Sequence, residues 1–68
     1  MTPPGFNVNW VKLRGSQGFR DPDGNTWKFD RLHGDHWDVS DANGKKIREI
    51  RLDGTQLWPG VKNKKKKP

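Results

Sequence analysis

Three clusters of turn-forming residues constrain the fold of this chain more than any other feature. Residues 21–25 read DPDGN, residues 41–44 read DANG and residues 53–55 read DGT. Such clusters favour tight hairpin turns, because Gly, Asn and Asp accept the positive φ that these turns need. Only short segments fit between the clusters, so the sequence predicts strands joined by hairpins.

The segments beside these turns alternate between apolar and polar residues, as half-buried strands do. Alternating segments lie at residues 26–30, 37–40 and, less strictly, 46–52, whereas residues 9–13 fit either a further strand or a short helix. No window has helical periodicity over the length of a normal helix. The sequence therefore predicts a mainly β protein, a highly twisted antiparallel sheet of three or four short, hairpin-connected strands.

Aromatic residues indicate that this polar chain folds. Only 28% of its 68 residues are hydrophobic, but four Trp and three Phe supply apolar surface that disordered segments usually lack. A chain this short buries only about 60% of its unfolded surface, so we expect one small domain with a thin aromatic core. We place this domain at residues 9–59, between a flexible segment at 1–8 and a basic tail at 60–68.

Several classes of protein are excluded or disfavoured by composition. The absence of cysteine excludes a disulfide framework and a thiolate zinc site. No apolar run approaches the length that spans a membrane, so we expect no membrane insertion by this domain. The N-terminus lacks the basic and apolar regions of a signal peptide, and we expect another segment to carry the domain if it is secreted.

Positive charge is concentrated at the C-terminal end. The net charge is +6, and residues 1–58 contribute only +1 of it, from nine Lys and Arg against eight Asp and Glu. A lysine run of this kind favours nucleic acid, bound in a salt-sensitive way without sequence preference. A terminus that only aids solubility is the alternative. Because acids near phosphate are repelled, the acids in the middle of the chain are expected to do chemistry, occupy turns or face away.

Both histidines and three of the eight acids fall within residues 30–38, DRLHGDHWD. Cleavage of RNA without a metal needs a base for the 2′-hydroxyl, an acid for the departing 5′-oxygen and cations for the phosphate. His33 is the best candidate for proton transfer, and Asp30 is expected to orient its imidazole. His36 or Asp35 is expected to supply the second proton-transfer group. The alternative for each is an ordinary turn residue.

Cations of the folded body are candidates for holding phosphate. Arg48 and Arg51 lie on the strand that follows the histidines, and Arg31 lies within the motif. For these arginines a solvated strand face is the alternative. Trp10 and Trp58 are expected either in the core or stacked on a base.

An ordered pattern covers roughly residues 21–65. It consists of DGNTWKFDRLHGD at 23–35, Gly44, then GTQL at 54–57 and the basic KNKK at 62–65. This pattern resembles the cytotoxic ribonuclease domain of the ribosome-inactivating E-type colicins. The HWDV segment after it is similar to toxin domains found at the C-termini of large proteins delivered in bacterial competition.

The resemblance implies an endonuclease that cuts small-subunit ribosomal RNA near the decoding centre. Asp30 and His33 match the family's catalytic Asp and His, and Asp35 matches an acid that follows them. Where the family has a second catalytic carboxylate, this chain has Trp37. Either Asp35 or a bulged Asp38 takes that role, since Asp38 in a regular strand faces away from position 37, or the target and mechanism differ.

The family's catalytic arginine falls in the basic tail, where this chain offers Lys62, Lys64 and Lys65 as RNA-binding residues. A lysine is a point charge and cannot make the planar bidentate contact of arginine. Because such a nuclease poisons the cell that makes it, we expect a cognate acidic immunity protein. We also expect a monomer without cofactor, delivered as part of a larger toxin into the cytoplasm of a target bacterium.

Three other functions are compatible with the sequence. One is a toxin that cleaves transfer RNA, and another is a non-catalytic RNA- or DNA-binding module in which aromatic residues stack on bases. The third is a metal site built from His33 and His36 with Asp35 or Asp38, although this spacing matches no known ligand motif. We expect no metal.

Overall fold

The computed structural model of the chain describes residues 2–15 and 17–60. Six strands form one antiparallel sheet in which neighbours in sequence are neighbours in space. The strands are β1 (Val11–Lys12), β2 (Phe19–Arg20), β3 (Thr26–Phe29), β4 (His36–Ser40), β5 (Lys46–Arg51) and β6 (Gln56–Trp58). The predicted all-antiparallel, hairpin-connected fold is confirmed. The described residues form no helix that is long and apolar enough to cross a membrane.

The number of strands differs from the prediction. Strands β3, β4 and β5 coincide with the three alternating segments, and β1 shows that residues 9–13 contribute a strand and not a helix. Strands β2 and β6 were not predicted. They contain two and three residues, too few for an alternating pattern to appear.

Aspartates begin the hairpin turns, as the turn clusters predicted. Oδ1 of Asp21 and of Asp41 each accepts hydrogen bonds from the backbone N–H groups two and four residues further on. Gly24 and Gly44 follow in the same two turns at φ of 86° and 85°, a region that only glycine adopts without steric cost. Each turn is therefore stabilised locally by hydrogen bonds to its own aspartate.

One face of the sheet carries the core. Trp37 is buried and pairs with Phe29 on one side and Ile50 on the other, so these side chains form one row across β3, β4 and β5. The rings of Phe29 and Phe19 meet Trp37 edge to face at 5.4 and 5.9 Å. Trp27 and Val39 complete the buried set. We call this side the aromatic face.

The opposite side of the same strands, the polar face, carries charged residues. Lys28, Asp38 and Glu49 are successive cross-strand partners on β3, β4 and β5, and His36 pairs with Arg51. The alternation of the strands therefore separates the core from the charged groups.

The two chain ends differ in how much of them the structure describes. Within the segment predicted to be flexible, residues 1–8, Pro3 is buried and the Phe6 ring lies 5.1 Å from that of Phe19. The mobility of this segment stays a prediction. The basic tail lies outside the described residues from position 61 onward, and so do the predicted RNA-binding residues Lys62, Lys64 and Lys65.

Candidate functional site

The turn between β3 and β4 is built on Asp30. Its Oδ1 accepts the backbone N–H groups of Leu32 at 2.9 Å and His33 at 3.1 Å. Its main-chain oxygen accepts the N–H of Gly34 at 2.8 Å. These local bonds use one carboxylate oxygen for the turn and leave Oδ2 for side chains.

Oδ2 of Asp30 lies between the two histidines. His33 Nδ1 is 2.8 Å from this oxygen and His36 Nε2 is 3.1 Å from it. The two imidazole rings are stacked, with centroids 5.7 Å apart and an interplanar angle of 28°. The predicted pairing of Asp30 with His33 is present, and a second imidazole shares the same oxygen.

The two histidines differ sharply in exposure. The His33 side chain is 63% exposed, whereas that of His36 is only 6% exposed. Because His33 contacts Asp30 through Nδ1, its Nε2 is left for a substrate. Of the two imidazoles, His33 is the one that a substrate can reach.

Four carboxylates surround His36. Asp35 Oδ1 lies 2.7 Å from Nδ1, and Asp30, Asp38 and Glu49 place oxygens 3.1, 3.4 and 3.8 Å from Nε2. Nε2 is buried and, despite these distances, makes no well-aligned hydrogen bond within the described residues. This environment favours the charged imidazolium.

The two histidines and the carboxylates around them form one cluster, which we call the histidine cluster: Asp30, His33, Asp35, His36, Asp38 and Glu49. Their contacts shift the pKa values of Asp30 and of the histidines in opposite directions. The hydrogen bond from His33 lowers the pKa of Asp30 to about 2, and the same bond raises the pKa of His33. The pKa of His36 is raised first by its hydrogen bond with Asp35 and then by the other carboxylates, against the effect of burial. At neutral pH Asp30 is therefore ionised, and each imidazole retains its proton to a higher pH than free histidine.

Lys46 and Glu49 belong to the cluster, although neither was predicted. Lys46 Nζ lies 3.2 Å from Asp38 Oδ1 and forms an ion pair with Glu49, contacts that raise the pKa of Lys46. The same ammonium lies 5.5 Å from the Trp58 ring centroid, which places this half-exposed indole beside the cluster. Trp10, the other Trp considered for base stacking, packs on Trp27 at 5.3 Å and belongs to the core.

Position 37 and Asp38 lie as regular alternation predicts. Trp37 is 2% exposed in the core, and Asp38 is on the polar face within 3.4 Å of His36 Nε2. The register of β4 with β5 shifts between Val39 and Ser40, beyond this position. Asp38 therefore reaches His36 from a regular strand, without a bulge at its own position.

The candidate arginines lie in three different places. Arg31 is exposed in the β3–β4 turn, and Arg51 is exposed on β5 opposite His36. Arg48 pairs with Val39 and its guanidinium lies 5.8 Å from the Trp27 ring centroid, on the aromatic face. The structure thus separates Arg48 from the histidines, and a contact of Arg48 with RNA stays a prediction.

Two overlapping groups of side chains can hold a metal ion. One consists of Asp30, His33 and His36, and the other of His36, Asp38 and Glu49. In each group the ligand atoms lie within 4.8 Å of one another. In the second group the ammonium of Lys46 already forms ion pairs with both carboxylates, so a metal ion would compete with it.

Comparison of the chain with protein-family profiles, curated proteins and solved structures finds no match. The colicin resemblance therefore rests on the sequence pattern, and the geometry of the cluster is the basis on which its chemistry can be judged.

Proposed function

We propose that this protein is the ribonuclease domain of a bacterial toxin and that it cleaves RNA without a metal ion. One observation carries the proposal: an accessible imidazole, His33, is bonded to an ionised carboxylate oxygen of Asp30 at 2.8 Å. A second imidazole, His36, lies 3.1 Å from the same oxygen. This arrangement supplies the proton-transfer groups that attack by a 2′-hydroxyl requires.

His33 is the general base. Its neutral ring accepts the proton of the 2′-hydroxyl at Nε2, while the N–H at Nδ1 stays on Asp30. The 2′-oxygen then bonds to phosphorus and the bond from phosphorus to the 5′-oxygen breaks, which leaves a 2′,3′-cyclic phosphate. Asp30 stabilises the imidazolium that forms, because its pKa of about 2 keeps it negative throughout.

The departing 5′-oxygen receives its proton from the pair of Asp35 and His36. Asp35 is 72% exposed, and its Oδ1 lies 2.7 Å from Nδ1 of His36. The buried imidazolium of His36 gives its proton to Asp35, which passes it to the leaving oxygen. His36 therefore acts through Asp35 and does not touch the RNA.

Cations on the rim of this cluster hold the phosphate. Arg31 lies next to Asp30 in sequence, and Arg51 and Lys28 are exposed on the polar face. The predicted contribution of the C-terminal lysines adds a sequence-independent attraction for RNA.

The colicin resemblance supports ribosomal RNA of the small subunit as the target, reached in the cytoplasm of another bacterium as part of a larger toxin. The net charge of +6 supports a cognate immunity protein that is acidic. Co-expression with a small acidic protein encoded beside it is expected to suppress toxicity, and failure of such suppression contradicts this part of the proposal.

The decisive test incubates the full chain with ribosomes or total RNA in EDTA. We expect discrete fragments ending in 2′,3′-cyclic phosphate, and we expect His33→Ala to slow their formation by about 10²- to 10⁴-fold. Leu32→Ala is the matched control, because it changes an exposed residue of the same turn. A 2′-deoxy nucleotide at the cut site is expected to block cleavage there.

Three outcomes contradict the proposal. Equal cleavage by His33→Ala and the parent chain removes the general base. Intact RNA that is still bound supports a non-catalytic module. Cleavage that requires added metal supports a metal site at one of the two groups that contain His36.

A further inference from the structure

A cavity opens at the β3–β4 hairpin, and Arg31 is the one residue of its lining that the proposed mechanism already uses. Its volume is about 310 Å³, and its lining includes the rings of Phe19, Phe29 and Trp37 together with Lys12 and Arg31. Phe29 and Trp37 belong to the aromatic face, so the cavity lies on the side of the sheet opposite the histidine cluster. Aromatic walls and two cations thus occur in one concave site.

This combination fits one nucleobase with its phosphate. Pockets for small ligands begin at about 300 Å³, which limits the occupant to a single base or a group of similar size. Aromatic rings stack on bases of any sequence, and Lys or Arg nearby adds attraction to the phosphate. Phe19 and Phe29 are only partly buried, which leaves part of each ring available.

The cavity and the histidine cluster are directly connected through the chain. Phe29 precedes Asp30, Arg31 follows it, and Trp37 follows His36. The two sites therefore lie on the two faces of one hairpin. Arg31 follows Asp30 in the turn and also lines the cavity. We therefore expect an RNA strand whose phosphate lies at His33 to place its neighbouring nucleotide near Arg31.

We propose that this cavity is a base-binding subsite, which takes the nucleobase next to the cut phosphate while Arg31 and Lys12 hold the phosphate of that nucleotide. This assignment rests on the proposed ribonuclease activity for its place beside the cut. The binding of a base is a property of the cavity itself and is measured without cleavage.

The first experiment is an NMR titration of the full chain with the four nucleoside 5′-monophosphates, and with ribose 5-phosphate as the probe without a base. We expect the nucleotides to shift the Trp37 indole and the Phe29 and Arg31 amides, and ribose 5-phosphate to have little effect. Phe29→Leu is expected to weaken nucleotide binding roughly 5- to 100-fold through the lost stacking, and Arg31→Gln is expected to weaken it through the lost phosphate contact. Lys45→Gln, an exposed cation in the β4–β5 turn, is the matched control.

The second experiment moves one abasic ribonucleotide along a cleaved RNA. We expect kcat/KM to fall roughly 5- to 100-fold when it stands at one position beside the cut, and this position effect to be lost in Phe29→Leu. The NMR spectrum reports whether each variant is folded. If Phe29→Leu does not fold, Arg31→Gln takes its place, because it changes only an exposed side chain.

The two proposals fail in different ways. Nucleotides that bind no better than ribose 5-phosphate, or that shift residues remote from Phe29 and Trp37, overturn the base-binding cavity even if RNA is cut. Selective binding of bases by a chain that cuts no RNA overturns the ribonuclease and the place beside the cut. Cleavage that is indifferent to every abasic position overturns the subsite and leaves the ribonuclease standing.

Discussion

The turns at residues 21–25 and 30–34 have the same local design but different surroundings. In both, an Asp begins the turn with Oδ1 accepting backbone N–H groups, and a Gly follows at φ of 86° in one and 72° in the other. The second carboxylate oxygen distinguishes them. Asp21 Oδ2 accepts the indole N–H of Trp27 at 2.9 Å, whereas Asp30 Oδ2 meets two imidazoles.

In both turns the backbone hydrogen bonds fix the position of the carboxylate. The side of the sheet that its second oxygen faces determines which side chains it contacts. Asp21 is buried and ties its turn to the core, so we expect it to contribute to stability. Asp30 stands on the polar face with an exposed histidine, so we expect it to contribute to activity. Replacing the aspartate of each turn by asparagine, which removes the charge and keeps an acceptor oxygen, separates the two roles.

The largest expected effect is that of Asp30→Asn on catalysis. The amide oxygen still accepts the turn hydrogen bonds, but the charge that stabilises the His33 imidazolium is lost. We expect single-turnover RNA cleavage to fall about 10²- to 10⁴-fold while the chain stays folded. Asp41→Asn is the control, because Asp41 Oδ1 also accepts hydrogen bonds from two backbone N–H groups of its turn and, among the described residues, Asp41 contacts no histidine. Equal losses in the two variants would mean that the turn itself, and not the charge, supports cleavage.

The reciprocal change, Asp21→Asn, is expected to act on stability. Its amide oxygen keeps the turn bonds, and its NH₂ group then faces the indole N–H of Trp27, so two donors meet in a buried place. We expect the free energy of unfolding to fall by about 1–3 kcal/mol in urea titrations. Cleavage by the folded fraction is expected to be unchanged. A tenfold loss of cleavage without loss of stability would contradict the assignment of Asp21 to stability and of Asp30 to activity.

A smaller effect is expected at the two turn glycines. A Cβ at Gly24 or at Gly34 meets nothing within 4 Å, so alanine there suffers only the cost of positive φ, about 1–2 kcal/mol. We expect similar destabilisation of both variants in thermal unfolding, and reduced cleavage only for Gly34→Ala, whose turn carries His33. Equal cleavage by both variants would show that the site tolerates distortion of this turn.

The fold follows from the sequence where the information is local. The Asp and Gly clusters predicted the turns, and the alternation of TWKFD predicted which side of β3 is buried. Strands β2 and β6 escaped prediction because their two and three residues acquire strand geometry only by pairing with β3 and β5. Strands β2 and β6 are therefore defined by tertiary pairing, which a local sequence pattern does not contain.

The site divides in the same way. The pairing of Asp30 with His33 was predictable, because three residues of one turn separate them. The places of Glu49 and Lys46 were not predictable, because the register of β4 with β5 brings Glu49 to His36 and Lys46 to Asp38. Arg48 and Arg51 were both predicted to hold phosphate, but they are three residues apart on β5, and alternation puts Arg48 on the aromatic face and Arg51 on the polar face.

The smallest expected effect is a shift in the pKa of His33, which should respond to the aspartate of its own turn and not to that of the other turn. The pKa of His33 is raised above its ordinary 6.5, chiefly by Asp30. We expect NMR titration of the His33 ring to show this, and Asp30→Asn to move its pKa back towards 6.5. Asp21→Asn is the control and is expected to leave the His33 titration in place. Cleavage is expected to rise with pH through the raised pKa of His33, because the base must be neutral.

The stability that these contacts contribute depends on pH with opposite signs for the two partners. For His33 and His36, whose pKa values are raised in the folded chain, the contribution is complete below pH 6.5 and is lost as pH rises through the folded pKa values. For Asp30, whose pKa falls from 3.8 to about 2, the contribution is complete above 3.8 and is lost as pH falls through about 2. Asp30→Asn is therefore expected to reduce the pH dependence of stability on the acid side, where Asp53, whose pKa is also lowered, still contributes. It is expected to weaken this dependence above neutrality, where His36 keeps its bond to Asp35. A stability profile in which Asp30→Asn and Asp41→Asn coincide at every pH would show that the Oδ2 of Asp30 has no energetic link to the histidines.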